Sequence, residues 1–161
     1  MKAYFASKDF SQQEKDILRA KVLSGPETEE TKLLAKVIQA SQPDASIKQL
    51  LWTQFTDPCS EEPQKDLMAK MKCFFNRSHL DLIEPYFTKF YDLLPTVAKT
   101  RNREFTEIFM QNLSPAFRAS AEDLEHFERL LGEADQDFVR LALKKEIESV
   151  RVSQQARQLC N

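Results

Sequence analysis

At 161 residues, with a formal net charge of −2 and a pI near 5.8, the chain has the length of one domain with a real core and lacks the global basic surface of a nucleic-acid binder. It holds only two glycines, Gly25 and Gly132. A β-sandwich or doubly wound α/β domain needs more for its turns and phosphate loops, so the fold class is read as all-α. No apolar run approaches the roughly 20 residues of a membrane span, and the opening MKAYFASKDF has no apolar signal core.

Ser11 and Glu14 form a capping-box pattern that opens a helix through Ile17, Leu18, Val22 and Leu23, and Gly25-Pro26 stops it. Thr28 is placed to cap a second helix with the stripe Leu33, Leu34, Val37, Ile38. Asp44, after Pro43, caps a third, with Ile47, Leu50, Leu51 and Phe55 as its stripe and Trp52 beside it. The proline-bounded segment TDPCSEEP, residues 56–63, reads as a loop. A fourth helix then carries Leu67, Met68, Met71, Phe74 and Phe75, and Asn76-Arg77-Ser78 makes the next turn.

The densest stretch runs from His79 to Pro115. Ile83, Tyr86, Phe87, Phe90, Tyr91 and Leu94 recur on one helical face. Pro95 is expected to end that helix and to open the next. The second helix then takes Val97, Phe105, Ile108, Phe109 and Leu113 on one side, and Ser114-Pro115 closes the pair. Ser120 and Asp123 open a shorter helix with Leu124, Phe127 and Leu131, and Gly132 is expected as its C-terminal cap. The last helix starts near Asp135 with the stripe Val139, Leu143, Ile147, Val150, and the polar tail after about residue 152 is expected to fray. The whole reads as one domain, 1–161, of about eight helices in antiparallel pairs. An armadillo- or HEAT-like right-handed superhelix is the expected arrangement, although no strict internal repeat marks it.

Chemistry-bearing patterns are sparse. His79 and His126 are the only histidines, far apart, and neither has a second histidine one helical turn away as a helix-borne zinc site needs. They read as turn or surface groups. Cys59, Cys73 and Cys160 are odd in number and form no C-x-x-C pair, which fits free thiols in a reducing, cytoplasmic setting. The pairs Lys70/Lys72 and Lys144/Lys145 read as isolated. One residue breaks its pattern: Arg101 interrupts the apolar spacing between Val97 and Phe105. It reads either as a stripe-edge residue with its stem packed, or as a group turned into a polar cavity or toward a carboxylate.

Several ordered motifs resemble the C-terminal helical domain of the aminopeptidase N family of zinc aminopeptidases, as in the endoplasmic-reticulum aminopeptidases. They are Gln42-Pro43-Asp44-Ala45 with Lys48 and Trp52, then Leu82-Ile83-Glu84-Pro85-Tyr86, Lys89-Phe90-Tyr91 and Leu94-Pro95. Thr100-Arg101 with residues 104–109, Leu124 with 127–131, and 138–143 continue the series, so the resemblance spans roughly 40–150. Val97 stands where the family has tryptophan, and 138–143 lacks some of its arginines. The resemblance implies a C-terminal fragment of a larger aminopeptidase that removes N-terminal residues from peptides. Its partners would be the upstream catalytic domain and peptide substrates, without nucleic acid or a membrane span. The family's H-E-x-x-H helix, glutamate ligand and G-x-M-E-N segment do not occur here, so no catalytic residue and no metal ligand is assigned to this chain. Zinc would belong to the parent enzyme, and the fragment would cap and shape the substrate cavity, with Arg101 as the candidate cavity residue. The alternative is an independent helical-repeat scaffold that binds a partner peptide on its concave face.

Overall fold

Five side chains start helices by accepting a hydrogen bond from a backbone N–H that the first turn leaves without a partner. Ser11 and Glu14 form a reciprocal box, with Glu14 N donating to Ser11 Oγ at 3.3 Å and Ser11 N donating to Glu14 Oε2 at 2.8 Å. Thr28 accepts from Thr31 N, Asp44 from Ile47 N, Asn102 from Phe105 N and Ser120 from Asp123 N. The computed structural model describes residues 11–22, 24–76 and 79–159, and of Gln12 the backbone alone. The expectations on Leu23, Arg77, Ser78 and Cys160 lie outside the described residues.

The described residues are helical and contain no strand. Eight helices have eleven residues or more: α1 Gln12–Val22, α2 Glu29–Ala40, α3 Ala45–Thr56, α4 Gln64–Phe74, α6 Pro85–Thr100, α7 Arg103–Leu113, α8 Ala121–Glu133 and α9 Asp137–Leu159. A four-residue helix, α5 Leu80–Ile83, and a 3-10 turn, Pro115–Arg118, also occur among the described residues. The chain divides into two compact units, Met1–Glu84 and Pro85–Asn161.

In the first unit α2 packs on α4 and α3, and α3 packs on α4. Its aromatic centre is Phe74, with Phe55 edge-on at 5.5 Å and Trp52 tilted at 5.8 Å. The buried face of α3 is Lys48, Leu51, Trp52 and Phe55, while Leu50 is exposed. Ile17 of α1 is exposed too, so the expected stripes on α1 and α3 are each off by part of a turn.

In the second unit α6 packs on α7 and α8, and α9 lies against α8, α7 and the 3-10 turn. Phe90 and Phe109 are fully buried and stack at 5.5 Å, 10° from parallel. Fully burying a side chain of this kind stabilises by about 1.5–3 kcal/mol. The expected stripe Val139, Leu143, Ile147, Val150 is the buried face of α9.

Three helix boundaries differ from the sequence reading. Pro95 lies inside α6 and does not end it; Pro85 holds the first-turn position instead. Proline's missing N–H costs nothing at a helix start and one hydrogen bond in the interior, where burial of Phe90, Tyr91, Leu94 and Val97 on the same face holds the helix through it. Gly132 lies within α8 at negative φ, and the cap is Ala134, whose N–H donates to Leu130 O at 2.9 Å. The tail after residue 152 is helical to Leu159. Gln154 Nε2 donates to Ala119 O at 3.2 Å and Arg157 Nη1 to Arg118 O at 2.8 Å, so the last turns are tied back to the 3-10 segment.

Candidate functional site

Arg101 sits in the short turn between α6 and α7, and not on a helix stripe as its spacing suggested. Its N–H closes α6 by donating to Val97 O at 2.9 Å. Its guanidinium lies over the Phe105 ring, 4.7 Å from the centroid, and the residue is half-buried. A guanidinium stacked this way is held in plane over the ring.

The larger polar constellation of the second unit centres on Asp123, which is fully buried. Tyr91 Oη donates to its Oδ1 at 2.7 Å, Arg118 Nε to Oδ2 at 3.1 Å and Arg118 Nη2 to Oδ1. The backbone N–H of Ser120 donates to Oδ2 at 3.3 Å. Desolvation works to raise the Asp123 pKa, but these donors outweigh it and hold the carboxyl below its ordinary range. Burial, then the hydrogen bond to Asp123, push the Tyr91 phenol far upward, so it remains a donor. Arg118 also lies over the Phe87 ring at 4.6 Å, and His126 stacks on Tyr91 at 4.4 Å. The sequence showed Ser120 and Asp123 only as a cap. That one carboxylate also receives a tyrosine from α6 and an arginine from the 3-10 turn is a tertiary fact.

The first unit has its own buried cation. Lys48 Nζ donates to Ala40 O and Phe74 O, each at 2.8 Å, and lies 5.0 Å from the Phe74 ring centre. Desolvation pulls its pKa down to about 8. The spacing was a readable signal: Lys48 precedes Leu51, Trp52 and Phe55 at i+3, i+4 and i+7, which puts it on the buried face. Lys70, read as part of an isolated basic pair, is buried and bonds Glu62 at 3.2 Å. Glu62 and Asp66 also clamp Lys36 of α2, at 2.7 and 2.5 Å, and these bonds raise the lysine to about 12.

His79 is fully buried beside α5, which corrects the surface alternative, and His126 is half-buried. Glu146 is the carboxyl with an acid-like shift: desolvation raises it, and the Ser114 hydroxyl donating at 3.1 Å partly offsets this. Among the described residues no group of three His, Cys, Asp or Glu side chains is arranged to hold a metal ion. No helix among them is long and apolar enough to cross a membrane.

The fold and these sites define an all-helical protein whose principal buried polar side chains hydrogen-bond within their own unit. Compared with known proteins, the chain matches no family model and no curated sequence.

Proposed function

We propose that this chain is a non-catalytic helical part of a zinc-dependent aminopeptidase, one that caps and shapes the cavity in which peptides lose their N-terminal residues. The observation that carries the reading is where the resembling motifs fall. Lys48, Trp52, Tyr86, Phe90, Tyr91 and Leu94 are all buried, and Lys48 and Tyr91 each make the hydrogen bond that ties their helix to its neighbours. Other residues of the same motifs, among them Asp44, Glu84, Pro85 and Lys89, are exposed, so the support comes from the buried members alone, which are the positions a common helical scaffold constrains most. The superhelix of antiparallel pairs and the cytoplasmic setting belong to this same proposal.

In this reading zinc and the acid-base groups sit in the upstream domain of the same polypeptide, where the metal would polarise the scissile carbonyl and activate water. The present chain supplies walls, and Arg101 a directed cation for a peptide carboxylate or carbonyl. The test is an assay of the purified chain on aminoacyl-amide and peptide substrates, with and without added zinc. No turnover and less than one zinc per chain is the expected result. Turnover by the chain alone would overturn its non-catalytic role.

A further inference from the structure

Helix α9 has two unlike faces. Val139, Leu143, Ile147 and Val150 are buried within its own unit. On the opposite side Leu141 and Val152 lie open, 56% and 53% exposed. They belong to a second stripe, Phe138, Leu141, Lys145, Glu148, Val152 and Gln155, whose members follow one another in alternating steps of three and four residues. That spacing is a heptad seam, the pattern by which one helix lies along another. Phe138 is half-buried and the rest of the stripe is exposed. Lys145 and Glu148, at the middle of the seam, form no ion pair among the described residues.

The order of residues along the seam selects its occupant. A two-fold axis crossing α9 at the level of Glu146 and Ile147 sets an antiparallel second copy of the helix against the first. Leu141 then faces Val152 of the second copy, Lys145 faces Glu148, and the symmetry repeats both contacts on the other side of the axis. Two ion pairs lie at the centre, an apolar layer closes each side, and Phe138 faces Gln155 one layer further out. The other alignments are worse on charge. A parallel pair in register sets Lys145 against Lys145 and Glu148 against Glu148, and facing like charges repel. An antiparallel pair centred on Val150 joins Leu141 to Leu159 but sets Glu148 against Val152 and Lys145 against Gln155, and so loses both ion pairs. Arg151 flanks the seam opposite Lys144 of the second copy, and Glu128 of its own copy already meets its charge at 2.7 Å.

We propose that the outer face of α9 is a self-association surface, on which two copies of this chain pair their α9 helices antiparallel, Leu141 on Val152 and Lys145 on Glu148. The seam is short and half polar, so the dimer is weak and exchanges with monomer at micromolar concentrations. The proposal does not rest on the aminopeptidase reading, in which an upstream domain seated on this face would be a competing occupant.

Sedimentation equilibrium of the full chain across the micromolar range reads the balance of monomer and dimer. Wild type is expected to dimerise as its concentration rises. Lys145→Glu or Glu148→Lys alone sets like charges against each other at both central contacts and should weaken the dimer by about tenfold. Combining the two exchanges in one chain should restore it. Mixing the two single variants should restore it too, because each then supplies the charge the other lacks. All of these residues are exposed, and circular dichroism checks that the variants keep the helix content of wild type. A chain that stays monomeric across the range, its α9 face reserved for an upstream domain or another protein, would overturn the proposal. So would a dimer indifferent to both single substitutions, or one that neither the combined exchange nor the mixture restores.

Discussion

Tyr91 of α6 donates a 2.7 Å hydrogen bond to Asp123, a residue 32 positions later that also caps α8. One carboxylate therefore sets the start of a helix and its attachment to a neighbour. Tyr91→Phe removes one of the donors and leaves Arg118 and Ser120 in place, so a loss of about 1.5–3 kcal/mol is expected. Asp123→Ala leaves the Arg118 charge without its carboxylate and should cost about 3–5 kcal/mol. Urea unfolding of the two variants measures both. Equal losses below 1 kcal/mol, on the order of an ordinary surface change, would mean the network carries no structural role.

The same carboxylate sets an acid limit. Its folded pKa lies below the ordinary aspartate value of 3.8. The stability it contributes is fully present above that ordinary value and disappears as pH falls through the lower folded one. Asp123→Asn should flatten this acid-side loss relative to wild type, as read from urea midpoints across the acid range.

Lys48 behaves in the opposite sense. Its folded pKa is near 8 and its ordinary value 10.5. Between the two, the unfolded chain holds a proton that the folded chain has released, so stability rises with pH across that window. Below pH 8 both states are protonated and the burial cost is fully felt. Wild type should therefore gain stability relative to Lys48→Met between pH 8 and 10.5, and parallel curves for the two proteins would show that the lysine is not charge-strained.

Phe90 and Phe109 meet face to face in the core of the second unit. Either one changed to Ala should cost about 3–5 kcal/mol by thermal or urea unfolding. A much smaller loss would mean that the site collapses around the missing ring.

Arg101→Ala tests the cavity role. If the chain is the aminopeptidase part proposed above, the substitution in that enzyme should raise KM for longer peptides more than for single-residue amides, because only the longer substrate would reach the wall. Arg101→Lys keeps the charge but loses the planar stack on Phe105. Equal effects of Arg101→Ala on both substrates would assign the residue to holding the α6–α7 turn.

Much of the helical order is legible in the sequence because caps and stripes are local. Ser11, Thr28, Asp44 and Ser120 announce their helices within four residues, and the α9 stripe repeats without interruption. The errors fall where local and tertiary terms compete. Pro95 is a helix breaker by propensity, yet it sits in a helix whose face is buried on both sides of it. Gly132 has cap character but no positive φ to use it. Lys70 looks like a surface cation until Glu62 comes to meet it from another element.

The proposal that this helical chain belongs to a larger zinc aminopeptidase is tested most directly by the native transcript. Sequencing the message on the 5′ side of the Met1 codon should reveal, in the same frame, a helix with H-E-x-x-H, a glutamate ligand downstream of it and a G-x-M-E-N segment. An in-frame stop codon immediately ahead of Met1, or an upstream domain without those ligands, would contradict it.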